Sequence, residues 1–171
     1  MKTINPIKSL VSIIISIIMI FANIPLCASN VDDIIISDAQ HKQTIEQFLA
    51  EIKNIQNQVN DIALSALKSP TSKNTQLQAR INLIENNIVR INKTVQDYLA
   101  TVPQVGERDR HVLLTFNALN LVKGSLFILS LLVNASTDAE RFALLDEYFY
   151  TRVTALDTLE ILEEILSSFT A

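Results

Sequence analysis

Few residues in this 171-residue chain have types and spacing that could do chemistry. The first are its two histidines, His41 and His111. Imidazoles ligate metals and haem, and they move protons near neutral pH. Di-iron sites in helical bundles need inward glutamates and a Glu-x-x-His pairing. Here Asp38 and Arg108 stand three residues before the histidines. A c-type haem needs Cys-x-x-Cys-His, and Cys27 is the one cysteine in the chain. His111 has Glu107 four residues earlier and Asp109 two earlier, so a carboxylate–imidazole contact over one turn is within reach. Both histidines are expected at the surface, at the start of a helix, beside a local charge.

Carboxylates are the second candidates. Glu160 and Glu164 are one helical turn apart, with Glu163 beside them. Glycoside hydrolysis uses two carboxyl groups facing each other across a cleft, not aligned along one helix. The Gly-x-Ser-x-Gly elbow of serine hydrolases is missing, and no glycine-rich loop precedes a helix to cradle phosphate. The expectation is a protein that is not an enzyme, with no catalytic residue, no cofactor and no metal ligand set. Asn92-Lys93-Thr94 and Asn134-Ala135-Ser136 fit the glycosylation sequon, a frequent coincidence in an asparagine-rich chain.

The first 29 residues set the compartment. Lys2 and Lys8 form a basic start, Leu10–Ile24 is almost wholly apolar, Pro25 breaks the run, and Ala28 and Ser29 are small. That is the order of a secretory signal. Cleavage after Ala28 or Ser29 removes Cys27, Met1 and Met19, so the exported chain would contain no cysteine and form no disulfide. Two alternatives attach to this segment. Cys27 could be lipidated, although the bulky Leu26 precedes it. The leader could also stay uncut as an anchor, although its apolar core is short for a span. The expected organisation is a signal peptide over 1–29 and one helical domain over 30–171, located in the periplasm, at the cell surface or outside.

The net charge is −4, from 14 basic and 18 acidic side chains, and it becomes −6 once Lys2 and Lys8 leave. An acidic chain without a Lys/Arg cluster argues against a nucleic-acid partner. The segment 137–171 carries the whole of that excess, and a solvated helix face explains it. Two glycines and four prolines in the whole chain are too few for a turn-rich β fold.

Four helices must carry this composition. Residues 30–37 read as a short extended lead-in, with Ser37 or Asp38 able to cap the first helix. That helix, over about 38–68, carries Ile45, Phe48, Ile52, Ile55, Val59, Ile62 and Ala66 at alternating spacings of three and four. Ser69-Pro70 stops it. A second over about 72–101 repeats the pattern with Leu77, Ile81, Ile84, Ile88, Ile91, Val95, Tyr98 and Val102. A third over about 107–135 is apolar around half its circumference between Val112 and Val133. Phe116, Phe127, Leu113 and Leu131 fall outside that arc. A fourth over about 137–169 has a stripe of Phe142, Leu145, Phe149, Val153, Leu156, Leu159, Leu162, Ile165, Leu166 and Phe169. The expected fold is all-α: an antiparallel up-down-up-down four-helix bundle of long heptad-patterned helices, each about 45 Å long at 1.5 Å per residue.

The stretch 112–133 is long enough to cross a bilayer, but Lys123 in its middle opposes insertion. It reads better as the most buried helix. A helix this apolar leaves surface uncovered, and such surface marks a partner. The candidate interaction patch is Phe116, Phe127 and Leu131 with Tyr148, Tyr150 and Arg152, since tyrosine and arginine are frequent hot-spot residues. The tyrosines are placed at the core edge, flanking a buried Phe149. The functional expectation is a structural or protein-interaction module, acting through a protein partner or self-association. The alternatives are a carrier holding a small apolar ligand near Phe116, Phe127, Phe142 and Phe149, and a membrane-associated component using 112–133.

Overall fold

The computed structural model describes residues 36–68, 74–102 and 106–169. The leader, Cys27 and most of the lead-in lie outside them. The chain is an all-α four-helix bundle, with α1 Asp38–Lys68, α2 Asn74–Leu99, α3 Glu107–Asn134 and α4 Asp138–Ser168.

Local chemistry fixes three of the helix ends. Ser37 is the N-cap of α1. Its hydroxyl accepts from Gln40 N (3.2 Å), and Ser37 N donates to Gln40 Oε1 (3.0 Å). This reciprocal pair satisfies two otherwise orphaned amides. Arg108, in the first turn of α3, clamps the same entry by donating to Asp38 Oδ1 (2.6 and 2.9 Å) and to Ile36 O (2.6 Å). Gly106 precedes α3 with φ 140°, a conformation that side chains with a Cβ rarely adopt. Thr137 caps α4 by accepting from Glu140 N (3.2 Å), while Ser136 N donates to Glu140 Oε2 (2.9 Å). Asp138 and Glu140 thus stand in the first turn, at the positive end of the helix dipole.

Packing follows the apolar stripes in the first three helices. Every residue of the α1 stripe from Ile45 to Ala66 is buried. So is every residue of the α2 stripe except Tyr98, which is half-buried. On α3, Val112, Ala118, Leu119, Val122, Leu126, Ile128, Leu129, Leu132 and Val133 are buried, while Leu113, Phe127 and Leu131 are exposed. Three buried hydroxyls on α3 and α4 satisfy themselves inside their own helix: Thr115 on His111 O, Ser125 on Leu121 O and Thr158 on Thr154 O.

α3 is the hub. It packs against each of the other three helices, most extensively against α4, whereas the described residues of α2 and α4 do not meet. α3 is also the one described helix long and apolar enough to cross a membrane. The contact between α1 and α4 is sparse, and three long basic side chains span it. Lys42 Nζ donates to Phe169 O (3.2 Å), Arg141 Nη2 donates to Ala66 O (3.3 Å), and Lys53 pairs with Glu163.

This geometry corrects the reading of α4. Phe142, Phe149, Val153 and Leu156, expected in the core, are exposed; Tyr148, expected at the core edge, is fully buried. The face that meets the bundle carries Tyr148, Ala155, Thr158, Leu159, Leu162 and Leu166. The physical reason is that α4 packs on α3 and scarcely on α1, so only one of its two apolar stripes finds a partner.

Gly124 sits inside α3, where a Cβ would meet only Thr151 Cγ2 at 3.6 Å, an ordinary contact. Alanine is favoured over glycine within a helix by about 0.5–1 kcal/mol. Gly124→Ala is therefore expected to stabilise the protein by about that amount, read as a higher urea midpoint at unchanged slope. A lower midpoint would mean that α3 and α4 approach too closely there to admit a methyl group.

Candidate functional site

Two places concentrate chemistry, one at an end of the bundle and one along α4. At the end, the first turns of α1 and α3 and the last turns of α2 and α4 come together. His41 Nδ1 lies 2.8 Å from Tyr98 Oη, and His41 Nε2 lies 3.1 Å from His111 Nδ1. The His41 and His111 rings stack at 5.3 Å, and Phe169 presents its edge to both, at 5.9 and 5.0 Å. His41 is 0% exposed and His111 1%.

The expectation of two surface histidines is thus overturned. Both lie on the buried face of their helix. His41 continues the α1 stripe four residues before Ile45, and His111 precedes the buried Thr115, Ala118 and Val122 at spacings of four, three and four. Register placed them inside, and residue type disguised it. Tyr98 and Phe169 both belong to the apolar stripes that the sequence displays, so their convergence with the histidines was legible from register alone.

Burial drives the His41 pKa down from 6.5 to about 4, with His111 and Arg108 pushing the same way and Asp38 opposing them. The position in the first helical turn adds to this, since the dipole there disfavours a cation. A neutral imidazole offers one N–H and one lone pair. With the proton of His41 on Nε2, Tyr98 O–H donates to His41 Nδ1 and His41 Nε2–H donates to His111 Nδ1, so both nitrogens of His41 are bonded. Burial raises the Tyr98 pKa, and the Thr44 hydroxyl and Arg108 partly offset it. Two imidazoles and a phenol in series could pass a proton; both imidazoles are buried with Phe169 packed on them, and the phenol is half-buried. The set closes the end of the bundle. Among the described residues, no three His, Cys, Asp or Glu side chains group as a metal site.

The second place is the apolar surface of α3 and α4. Of the six residues of the candidate interaction patch, Phe127, Leu131 and Tyr150 are exposed, Phe116 and Arg152 are half-buried, and Tyr148 is buried. Tyr148 touches Phe149 ring to ring at 5.3 Å. Among the described residues its buried hydroxyl has no hydrogen-bond partner; neither does Arg152 Nε, nor either amide atom of the buried Gln56 on α1. Sequence reasoning missed the set Phe142, Phe149, Val153 and Leu156, which the structure places outside. The signal was there as a second apolar stripe on α4, more than one neighbouring helix could cover. An interior pocket at Phe116, Phe127, Phe142 and Phe149 is likewise overturned, because the last three face outward.

No protein-family model, curated protein or solved structure matches this chain. Its functional reading therefore stands on its own residues. The glutamates that suggest a carboxylate pair are solvated: Glu160 and Glu164 are exposed, and Glu163 is engaged with Lys53.

The histidine cluster generates a pH dependence with a definite sign. A histidine whose folded pKa lies below its unfolded value binds fewer protons folded than unfolded. His41 thus contributes its full stability above about pH 6.5 and loses it progressively as pH falls toward about 4. The slope is up to about 1.4 kcal/mol per pH unit for this group. Urea unfolding at pH 7, 6, 5 and 4 is the measurement, and His41→Phe should flatten the profile over that interval. An unchanged profile in that variant would remove His41 as the titrating group. Separately, Tyr98→Phe leaves His41 Nδ1 buried without its partner, which should cost about 1–3 kcal/mol at pH 7.

Proposed function

We propose that this chain is an exported, non-catalytic helical module that works through protein contacts made by its α3–α4 side. The observation that carries the reading is the distribution of exposed apolar side chains. α1 and α2 show fewer such residues, the neighbouring Leu64 and Leu67 and the separate Leu83 and Val89, and a few exposed apolar residues are ordinary on any surface. α3 and α4 together expose Leu113, Phe127, Leu131, Phe142, Phe149, Tyr150, Val153, Leu156 and Ile161. A concentration of large apolar and aromatic groups on one side is what a binding surface requires. The leader pattern supports export, and the burial of both histidines argues against their meeting a substrate.

A photo-crosslinking amino acid placed at Phe127 or at Phe142 should yield discrete protein adducts when the full chain is made in its host. The same group at Leu83, on α2, should not. Adducts to lipid alone, or none at all, would refute a protein-contact role and favour a membrane surface or an apolar ligand as the occupant.

A further inference from the structure

We infer that the exposed stripe of α4 pairs in parallel with the same stripe of a second copy of this chain. The inference rests on the protein-contact reading above and names its partner.

The stripe comprises Phe142, Leu145, Phe149, Val153 and Leu156. Phe142 is 72% exposed, Phe149 48%, Val153 52% and Leu156 37%, while Leu145 is half-buried. On a helix that turns 100° per residue, these five fall within an arc of about 80° and extend over about 21 Å. Their spacings of three, four, four and three follow an 11-residue rhythm, and the narrow apolar seam they make is left without a facing helix.

Charge decides what faces it. Arg141 and Arg152 lie along one edge of the stripe, and Asp146 and Asp157 lie along the other, by the same angular count. Each aspartate is five residues beyond an arginine. When two identical helices pair in parallel about a two-fold axis, each edge of one meets the opposite edge of its partner, offset by five residues. Arg141 then faces Asp146 of the second copy, and Arg152 faces Asp157, twice over by symmetry. In an antiparallel pair each edge meets its own kind, so arginine would face arginine. The parallel register is the one that this charge pattern stabilises. Both aspartates are exposed, and neither joins the ion pairs that the described residues form within the bundle, whereas Arg141 already reaches to Ala66 O. Asp138 and Glu160 bound the stripe at its two ends, which restricts the seam to the stretch between Phe142 and Leu156. So short a seam gives a weak, concentration-dependent dimer.

The test uses the full chain carrying Cys27→Ala, recovered from an exporting host. Its mass is followed by sedimentation over a concentration series. A monomer–dimer equilibrium is expected. Asp146→Lys combined with Asp157→Lys should raise the dissociation constant roughly tenfold or more, with an unchanged circular dichroism spectrum. Under mild oxidation, Phe142→Cys, Phe149→Cys and Leu156→Cys should each form a disulfide-linked dimer, because parallel pairing sets every seam residue opposite itself.

A chain that stays monomeric at all concentrations overturns the inference. So do crosslinks at position 149 alone, with 142 joining only to 156, which would mean antiparallel pairing. Dimers that crosslink instead through Phe127→Cys or Leu131→Cys overturn it too, while leaving the protein-contact reading intact. That reading fails by the separate route of host crosslinking that captures no protein.

Discussion

The structure depends on covering α3. Its apolar side chains occupy too wide an arc for any one neighbour, so three helices must surround it, and each is oriented by that need. α1 and α2 answer with a single stripe apiece and put Asn, Gln and Lys on their outer faces. α4 gives its Tyr148–Leu166 face to α3 and has little left for α1. Where α1 and α4 should close the ring, long basic side chains reach across instead of apolar ones interlocking. Exposed or partly exposed pairs of that kind contribute little each. The cohesion of the bundle therefore resides in the contacts of α3, and the α1–α4 seam depends on them.

The same constraint explains why polar groups were accepted in the interior at one end. Two histidines in the first turns of α1 and α3 stand where cations are disfavoured, beside a phenol and under a phenylalanine. Burial of an imidazole is tolerable when it is neutral and its nitrogens are bonded. For His41 the Tyr98–His41–His111 sequence does both. It also joins α1, α2 and α3 by directional bonds, which apolar packing alone does not supply. Arg108 completes the fastening from outside by tying the start of α3 to Asp38 and Ile36. An end built this way fixes the relative register of the helices more sharply than the apolar stripes, which tolerate sliding.

Much of this was legible because α1 and α2 have one apolar stripe each on a polar background, leaving one way to face the core. α3 was legible as the most buried helix, and Leu113, Phe127 and Leu131 fall outside its apolar arc as the angular count requires. α4 was not. It carries two stripes, and periodicity measures how apolar a face is without saying which neighbour exists to cover it. Between Tyr148 and Phe149, the residue without a hydroxyl is the natural choice for the interior, yet Tyr148 is buried with that hydroxyl lacking a partner among the described residues. The histidines failed for the opposite reason. Their type suggested the surface, while their spacing to Ile45 and to Thr115 already put them in register with the core.

An uncovered stripe on a helix is costly to keep, since apolar side chains in water favour aggregation. The four charges along the α4 stripe bear on that cost. Arginines on one edge and aspartates on the other raise solubility in the single chain and penalise antiparallel encounters, because these juxtapose like charges. Negative selection of this kind is how short apolar seams acquire a defined partner and direction. The surface of α3 has no such bordering pattern. Lys123 and the asparagines 117 and 120 share the exposed side of α3 with Phe127 and Leu131, so its contacts are less directional. The two helices that carry the apolar surface are thus not equivalent. α4 has the features of a seam specified by charge, and α3 those of a face whose first duty is to hold the bundle together.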